Sequence, residues 1–428
     1  MRTIMGKQTL FSGVYAVEPG QSLTFDLDHP CSKPRESRID ISSLPAEPDD
    51  TALRSIVEDA VQSHLRSDVE LCAMLSGGLD STIIAGTARQ NVASLRTYCS
   101  GVDANEGDPS HASDVAALFG TEHTTALLDE ATFSSLWVDT VSRTGMPLAT
   151  PNEVAIRLIA RTLRENQQIV ALSGEGADEL FAGYDAPLTD ASERKVISGG
   201  RHELNANAWI PHEIKSTLLV GAFAVEASDD LRLVALFESA FERANAGVSD
   251  EGVAAHLRFQ RSVNLPMLLH RLDAATMLES VEGRTPFADV RVAEAAGAIP
   301  IKRLLDVTGT SPATRTKLAL RKAFQDRVPS QVLSREKASF PLPFERWMGR
   351  VASKAQSSAV GGTIVQPALL AAIAEDPSKH WHLAWPVFNI VLWAEHWWGH
   401  GLDDFLRDLQ DQANAVSMRG TAPSNRLV

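Results

Sequence analysis

The sequence predicts an α/β protein with a doubly wound parallel sheet and a largely helical C-terminal part. Two observations support this fold class: an apolar strand ends twice in a glycine-rich turn, and each turn runs directly into a helix. The first unit is residues 69–75 followed by SGGLDS at 76–81, and the second is residues 168–172 followed by SGEGADE at 173–179. Strand, turn and helix repeated with helical spacers is typical of a parallel sheet, whose strands need crossover connections.

The segments before the first unit predict a small β-rich region and a linker. Residues 9–27 alternate loosely and break at Pro19, which predicts a β-hairpin. Residues 29–50 are rich in proline, serine and charge, and we expect a linker there. A helix is predicted from residue 50 to about residue 65, because one stripe carries Leu53, Ile56, Val57, Ala60 and Val61.

The C-terminal half is predicted to be mostly helical from about residue 230. Residues 381–398 hold five of the eight tryptophans, which favours a core helix over a ligand-stacking surface. The expected organisation is a short β-rich segment with linker at 1–49, one α/β domain at 50–412, and a flexible tail at 413–428.

Composition narrows the classes of partner and compartment. Forty Lys and Arg against 54 Asp and Glu give a net charge of −14, so we expect no nucleic-acid partner and no binding to anionic membranes. The three cysteines form no CxxC pair, which indicates a reducing compartment and argues against a structural zinc. Without an 18-residue apolar run or a signal peptide, the chain is expected to be cytoplasmic.

The first glycine-rich turn has the features of an anion site. Gly77 and Gly78 let backbone N–H groups approach an anion, and the following helix offers its N-terminal N–H groups. Ser76 and Ser81 add hydroxyl donors. Asp80 would repel the anion unless a cation lay between them. A Mg²⁺ ion that binds both the Asp80 carboxylate and a phosphate oxygen would remove this repulsion. The alternative is an ordinary loop in which Asp or Ser caps the helix.

The second turn repeats this logic. Asp178 is placed to reach a metal, and Glu175 lies between two glycines just after a strand. Ligands of open α/β sheets bind outside the carboxyl ends of strands, so both turns are expected to face one crevice and form a two-aspartate Mg²⁺ site. The sequence contains no GxxxxGK[ST], GxGxxG, HExxH or GxSxG motif. Phosphates would therefore be held by these turns, helped by lysines from elsewhere.

These motifs carry a family resemblance. SGGLDS resembles the pyrophosphate-binding loop of the ATP-pyrophosphatase superfamily, and with SGEGADELFAGY at 173–184 it resembles the synthetase domain of asparagine synthetases. The resemblance covers about residues 50–400 and implies a fold of the adenine-nucleotide α-hydrolase type. Three later stretches agree in order: ATMLESVEGRTPFAD at 275–289, KLALRKAF at 317–324 and SREKASFPLPFERWM at 334–348.

The resemblance implies a chemistry and a set of roles. Members adenylate a carboxylate with ATP, release pyrophosphate and let an amine attack the acyl-adenylate, so ATP and Mg²⁺ are the implied cofactors. Glu175 and Lys337 would be catalytic, with Lys337 on a loop facing the phosphates. The remaining implied roles are phosphate binding by Ser76, Gly77, Gly78, Ser81 and Lys317, nucleotide contact by Ser173 and Gly174, and Mg²⁺ ligation by Asp80 and Asp178.

The family pattern also shows where this sequence departs from it. An attacking amine must lose a proton, and Glu175 is placed to take it. Lactam-forming members have a tyrosine at this position, so Glu175 resembles the ammonia-using branch. The acid that partners the base in lactam-forming members would fall near Met267, where none occurs. Ala182 replaces a usual glycine, and Ser100 a residue that is often apolar.

Three functions remain open at this stage. The leading hypothesis is a ligase joining a small-molecule or peptide carboxylate to ammonia or another amine. The second is a lactam or macrolactam cyclase, of the β-lactam or lasso-peptide type, in a specialised-metabolite pathway. The third is a non-catalytic nucleotide-binding protein. Only LFSGVYAVEPGQSLTFD near the start resembles a glutaminase domain. We therefore expect no glutamine hydrolysis by this chain, and ammonia from solution or from a separate glutaminase.

Overall fold

The structure is a computed structural model, and it describes most of the chain. No helix within the described part is both long and apolar enough to cross a membrane. The described residues are 6–7, 9–39, 45–104, 106–193, 208–210, 212–221, 223–224, 252–306, 308–309, 315–335 and 342–399, with isolated positions 235, 238–239, 242, 407, 410–411 and 414. Apart from position 414, the predicted tail at 413–428 lies outside this range.

The N-terminal region holds a two-stranded antiparallel sheet of β1 (Gln21–Thr24) and β2 (Arg35–Arg38). The prediction of a hairpin within 9–27 is therefore wrong in its pairing, because the partner strand lies in the segment expected to be a linker. Strand β2 has the sequence RESR and is fully exposed, so it has no apolar alternation to reveal it. A contact of 2.7 Å between the hydroxyl oxygens of Ser22 and Ser37 joins the strands.

The main sheet has five parallel strands in the spatial order β5–β4–β3–β6–β7. The chain builds outward from the central β3 to β5, then returns to the other side of β3 to add β6 and β7. This reversal is the predicted doubly wound topology, and it places the topological switch point between β3 and β6. The strands are β3 (Cys72–Met74), β4 (Arg96–Gly101), β5 (Glu122–Leu127), β6 (Val170–Leu172) and β7 (Glu282–Arg284).

Helices occupy most of the remaining described chain, as predicted. Up to residue 193 they are α1 (Asp50–His64), α2 (Leu79–Asn91), α3 (Gly107–Phe119), α4 (Glu130–Thr144), α5 (Asn152–Glu165), α6 (Ala177–Phe181) and α7 (Asp185–Glu193). Beyond it they are α8 (His212–Leu218), α9 (Gly252–Phe259), α10 (Leu265–Met277), α11 (Val290–Ala298), α12 (Ile301–Leu304), α13 (Leu318–Ala323), α14 (Ser330–Ser334), α15 (Gly349–Gln356), α16 (Gly361–Ile364), α17 (Pro367–Glu375) and α18 (Trp381–Ala394).

Both faces of the parallel sheet are covered. Side chains of α1, α2 and α3 pack with Ala73 and Leu75 on one face. Side chains of α5 pack with Cys72 and Tyr98 on the other face, next to the segment that follows α10. Successive residues of β3 thus point into different cores, as the pleat of a strand requires.

Helix α18 is the predicted tryptophan-rich core helix. Trp385 is fully buried and stacks on Trp137 of α4, with ring centroids 4.6 Å apart. The indole N–H of Trp137 donates to the Asn389 side chain at 2.8 Å, which satisfies a buried donor. Trp397 and Trp398, which follow the helix, keep 39% and 51% exposure.

Arg157 on α5 ties three helical segments together beneath the sheet. Its side chain is only 1% exposed, and its Nε donates to Glu279 at 2.8 Å, just beyond α10. The same guanidinium donates to Asp139 and, at 2.8 Å, to the hydroxyl of Thr140, both on α4. Because α5 and α10 carry side chains of the crevice described below, this network fixes their spacing.

We predict that Arg157→Ala lowers the free energy of unfolding by about 3 kcal/mol, because it removes a buried guanidinium and leaves the partly buried Asp139 and Glu279 with only the more exposed Arg143 and Arg161 as counter-charges. Arg161→Ala is the matched control: Arg161 approaches the same Glu279 at 3.7 Å but is 40% exposed. Its loss should cost less than about 1 kcal/mol. Denaturant unfolding of both variants measures the difference, and equal losses would contradict a structural role for the buried arginine.

Candidate active site

The two glycine-rich turns meet because their strands are neighbours. Strands β3 and β6 pair in parallel, with Ala73 opposite Leu172, so the turns leave the same edge of the sheet side by side. A Cβ built on Gly174 would lie 3.0 Å from the Ser81 nitrogen and 3.1 Å from the Asp80 Cβ. Glycine at this position therefore allows the second turn to touch the first.

The first turn has the geometry of an anion-binding loop. Helix α2 begins at Leu79 and has Gly78 as its N-cap, so no side-chain hydroxyl or carboxylate caps it. Gly77 has φ = +70°, and a Cβ there would lie 2.6 Å from the His111 backbone, so only glycine fits. Ser81 Oγ lies 3.1 Å from Ser76 Oγ, which places two hydroxyl groups beside the helix N-terminus.

Lys317 lies between the two predicted metal ligands. Its Nζ is 2.5 Å from Asp80 Oδ2 and 2.6 Å from Asp178 Oδ1, and its side chain is 6% exposed. Burial acts to lower the lysine pKa, but the two carboxylates outweigh it and hold the pKa above its ordinary value. Asp80 and Asp178 therefore converge on one cation position, as the two-aspartate hypothesis requires.

The residues at this position fit a Mg²⁺ completed by phosphate. Magnesium usually takes one or two carboxylates together with substrate phosphate oxygens and waters. The oxygens of Asp80 and Asp178 reach one common point, and the described residues hold no cluster of three or more His, Cys, Asp or Glu side chains able to bind a metal by themselves. The two aspartates could thus serve a metal that arrives with a phosphate, once the Lys317 ammonium moves from between them.

Glu175 is held by an arginine that the sequence reasoning missed. Arg271 Nη2 on α10 donates to Glu175 Oε1 at 2.7 Å, and its Nη1 donates to the Thr150 hydroxyl at 3.2 Å. Burial opposes the arginine charge, yet Glu175 and Glu153 raise the Arg271 pKa further. Arg271 lies one helical turn after Met267, so Glu175 faces a guanidinium near the position where the family resemblance predicts an acid in lactam-forming members. The spacing of four residues between Met267 and Arg271, which is one turn of a helix, was the signal in the sequence that could have indicated this arginine.

Two buried glutamates flank the crevice. Burial raises the pKa of Glu153, in the first turn of α5, to about 7, against the opposing effect of Arg271. Burial and the nearby Asp178 likewise raise the pKa of Glu179 to about 7, although the Tyr184 hydroxyl donates a hydrogen bond to it. Carboxyl groups that change charge near neutral pH therefore lie next to the crevice rather than lining it.

Two adjoining cavities open at the meeting of the turns. The first, of about 250 Å³, lies over the ends of β3, β4 and β6 and is bordered by apolar side chains and hydroxyl groups. The second, of about 280 Å³, is bordered by Lys317, Arg321 and Arg335. Both contain the turn residues Ser76, Gly78, Asp80, Glu175 and Asp178, while Ser81, Ser100, Ser173 and Gly174 border the first. Lys337 lies outside the described residues.

Arg321 and Arg335 were also missed, although they supply positive charge beside the first turn. Arg335 donates to Asp108 at 2.7 Å, and Asp108 belongs to the first turn of α3. Burial raises the pKa of Asp108, and Arg335 opposes this shift. The second cavity thus brings three cationic side chains to the crevice beside its carboxylates, while the first offers an apolar wall.

Comparison with known proteins gives the family. The asparagine synthase sequence model matches residues 52–398, most of the chain. The chain belongs to the asparagine synthase family. This confirms the resemblance stated above, and the five-stranded parallel sheet agrees with the ATP-pyrophosphatase-type fold expected of the family.

Curated relatives are similar over most of this chain but are longer than it. Glutamine-hydrolysing asparagine synthetase 1 of Bacillus subtilis is 28% identical over 369 residues, covering 79% of this chain and 57% of the relative. Asparagine synthetase 3 of the same organism is 27% identical, covering 78% and 55%. Amidase chyE of Penicillium rubens is 23% identical, covering 80% and 60%. The chain thus spans less than two thirds of the length of each of these three relatives.

We predict that Gly183→Ala weakens Mg·ATP binding about tenfold or more. A Cβ at this position would overlap Asp178 Oδ1 and Lys317 Cε, and overpacking of this kind costs about 1–3 kcal/mol. Gly349→Ala is the control, because a Cβ there meets nothing within 4 Å. Equilibrium dialysis with labelled ATP measures both variants, and unchanged affinity in Gly183→Ala would contradict nucleotide binding at these residues.

We also predict a pH-dependent stability difference between wild type and Glu153→Gln. The Glu153 pKa is about 7 in the folded state, against 4.5 ordinarily, so the folded state binds the extra proton between these values. Wild-type stability should therefore fall relative to the variant as pH rises from 4.5 to 8, by about 3 kcal/mol. Denaturant unfolding at several pH values measures this, and parallel curves would contradict it.

Proposed function

We propose that this chain is an ATP-dependent ligase that adenylates a carboxylate, releases pyrophosphate and transfers the acyl group to an amine or to ammonia. The convergence of Asp80 and Asp178 on Lys317, where the two glycine-rich turns meet, is the observation that carries the proposal. Glu175 lies in the same crevice, so groups suited to both half-reactions are within one site. Membership of the asparagine synthase family supports this assignment.

In the proposed complex, the adenosine occupies the cavity over the strand ends and the triphosphate lies in the second cavity, against Lys317, Arg321 and Arg335. The N-terminal N–H groups of α2 and the hydroxyls of Ser76 and Ser81 would bind phosphate oxygens. Asp80 and Asp178 would hold Mg²⁺, which supplies neutralisation of the charge that develops on the pyrophosphate leaving group. Lys317 then finds its counter-charge on the phosphates.

Adenylation is the first proposed step. An oxygen of the substrate carboxylate attacks the α-phosphorus, and the bond from the α-phosphorus to its bridging oxygen breaks. Pyrophosphate leaves with that electron pair, so negative charge grows on the side of the cavity bordered by Lys317, Arg321 and Arg335. Positive groups fixed in advance at a developing charge are the most effective form of electrostatic stabilisation.

Amide formation is the second proposed step. The amine nitrogen attacks the acyl carbon, the carbon–oxygen bond to AMP breaks, and Glu175 accepts the proton that the nitrogen loses. Arg271 binds Glu175 Oε1 and so fixes the orientation of the carboxylate.

The pairing of Glu175 with Arg271 favours intermolecular amide formation over lactam closure. Lactam-forming members of the family are expected to have a tyrosine at the position of Glu175 and an acid near Met267, and this site has a glutamate and an arginine instead. A ligase product contains the nitrogen of an added amine, whereas a cyclisation product has lost only water. Mass spectrometry of the product separates the two.

The test of the proposal is carboxylate-dependent exchange of pyrophosphate into ATP across a panel of amino acids and other carboxylic acids. Asp80→Asn and Asp178→Asn should abolish the exchange, and Lys317→Met should slow it by about 10²–10³-fold. Asp273→Asn, an exposed position on α10, is the matched control and should retain wild-type exchange. Pyrophosphate exchange that survives in both Asp80→Asn and Asp178→Asn would refute the assignment of the aspartates. A folded wild-type protein that shows no exchange with any acid would refute the ligase proposal.

A further inference from the structure

A separate apolar cavity of about 300 Å³ lies beside the proposed nucleotide site and is not used by the chemistry above. Its walls come from the α4–α5 connection and from helices α8, α10 and α18. The lining is mainly hydrocarbon and aromatic, and it includes Met146, Leu148, Trp209, Leu219, Ala274 and Ile390. A cavity of this size and character is typical of sites for the apolar part of a small molecule.

Arg271 borders both this apolar cavity and the nucleotide cavity. The first turn of α5 is shared in the same way, because Asn152 borders the nucleotide cavity and Glu153 borders the apolar cavity. The partition between the nucleotide cavity and the apolar cavity therefore includes the Arg271 side chain and the first turn of α5. A molecule in the apolar cavity would present its polar end to the guanidinium that holds Glu175.

The charges at this partition favour an amine over an acid as the polar end. Two carboxyl groups, Glu153 and Glu175, face the single guanidinium of Arg271, which raises the arginine pKa and leaves no uncompensated positive charge there. The other cationic or basic side chains of the lining are nearer solvent: His270 is exposed and Lys215 is half-buried, whereas Glu153 is buried. An incoming carboxylate would meet the carboxylate of Glu175 at the deep end, with the guanidinium of Arg271 already paired to it at 2.7 Å.

We propose that the apolar cavity binds the amine substrate, and that this substrate is a primary amine with a hydrocarbon or aromatic body rather than ammonia. The body fills the cavity, and the amino group lies at the Arg271–Glu175 pair. The role of this amine rests on the proposed ligase function: its nitrogen forms the bond to the acyl carbon, AMP leaves with the electron pair of the broken bond, and Glu175 takes the proton.

Binding to the full chain tests the proposal without knowledge of the acid substrate. Isothermal titration calorimetry would compare 2-phenylethylamine, ethanolamine, ammonium chloride and 3-phenylpropanoate. We expect 2-phenylethylamine to bind at least about tenfold more tightly than the other three, because it alone combines an apolar body with an amino group. Equal or tighter binding of 3-phenylpropanoate would assign the cavity to the acid and overturn the proposal, and so would the absence of 2-phenylethylamine binding.

A filled-cavity variant locates the binding. Ala274→Phe on α10 places a ring in the cavity and should weaken 2-phenylethylamine binding at least about tenfold, with Mg·ATP binding unchanged. Met277→Phe, on the same helix at a position 53% exposed, should leave both affinities as in wild type. Unchanged amine binding in Ala274→Phe would show that the amine lies elsewhere. If Ala274→Phe fails to fold, Ile390→Trp fills the opposite wall with the same expected result.

The outcome is separable from that of the ligase proposal. Pyrophosphate exchange requires the acid and ATP but no amine, so its absence counts against adenylation and leaves the cavity assignment standing on the titrations. Conversely, exchange with no selective binding of 2-phenylethylamine would retain the ligase and reject the apolar amine.

Discussion

Two carboxylates brought to one point at the edge of a sheet repel each other, and they stay ionised there only if a cation lies between them. The pairing of β3 with β6 imposes this arrangement on Asp80 and Asp178, and Lys317 supplies the cation. This ion cluster constrains the residues around it. Glycine is required at 174 and 183 because a Cβ at either position would press on the side chains of the cluster. Helix α13 begins directly after Lys317.

The second charged centre, Glu175 with Arg271, is placed by helix packing rather than by the sheet. Helix α10 packs against α5, and the buried Arg157 network ties α5 to Glu279, two residues beyond α10. A carboxylate held in this way has a fixed orientation, which matters for the proposed proton transfer because that step requires contact at hydrogen-bond distance. The crevice thus combines two turns fixed at the strand ends with a carboxylate oriented by the helical layer.

The sequence predicted those parts of the site that are local in the chain. The two turns were recognisable because strand, glycines and helix follow one another directly, and their proximity followed from the rule that ligands lie at strand ends. Arg271 and Arg335 were missed because they lie 96 and 227 residues from the partners they contact, Glu175 and Asp108. Ala182 was noted as a departure from glycine, and its φ of +60° shows that the backbone there has a conformation that glycine adopts more readily.

The errors in the fold have a different cause. Strands β4 and β5 lie in a segment expected to be helical, and β7 has only three residues, EGR, two of them charged. β4 is buried at five of its six residues and so shows no alternation, whereas β7 is too short and polar to show one, and the pairing of both is decided by neighbours distant in sequence. The same reasoning explains β2, whose exposed sequence RESR was assigned to a linker.

In the proposed mechanism, the partition formed by Arg271 would give the two half-reactions different surroundings. Adenylation needs cations and a metal around a polyanion, whereas amide formation needs an uncharged amine beside a carboxylate and as little water as possible, because water also attacks acyl-adenylates. A nucleophile delivered from the apolar cavity would arrive with little water, and the guanidinium on its path is already paired with Glu175. Under this proposal, one arginine between two cavities would keep the anionic chemistry on one side and the nucleophile on the other until the acyl-adenylate has formed.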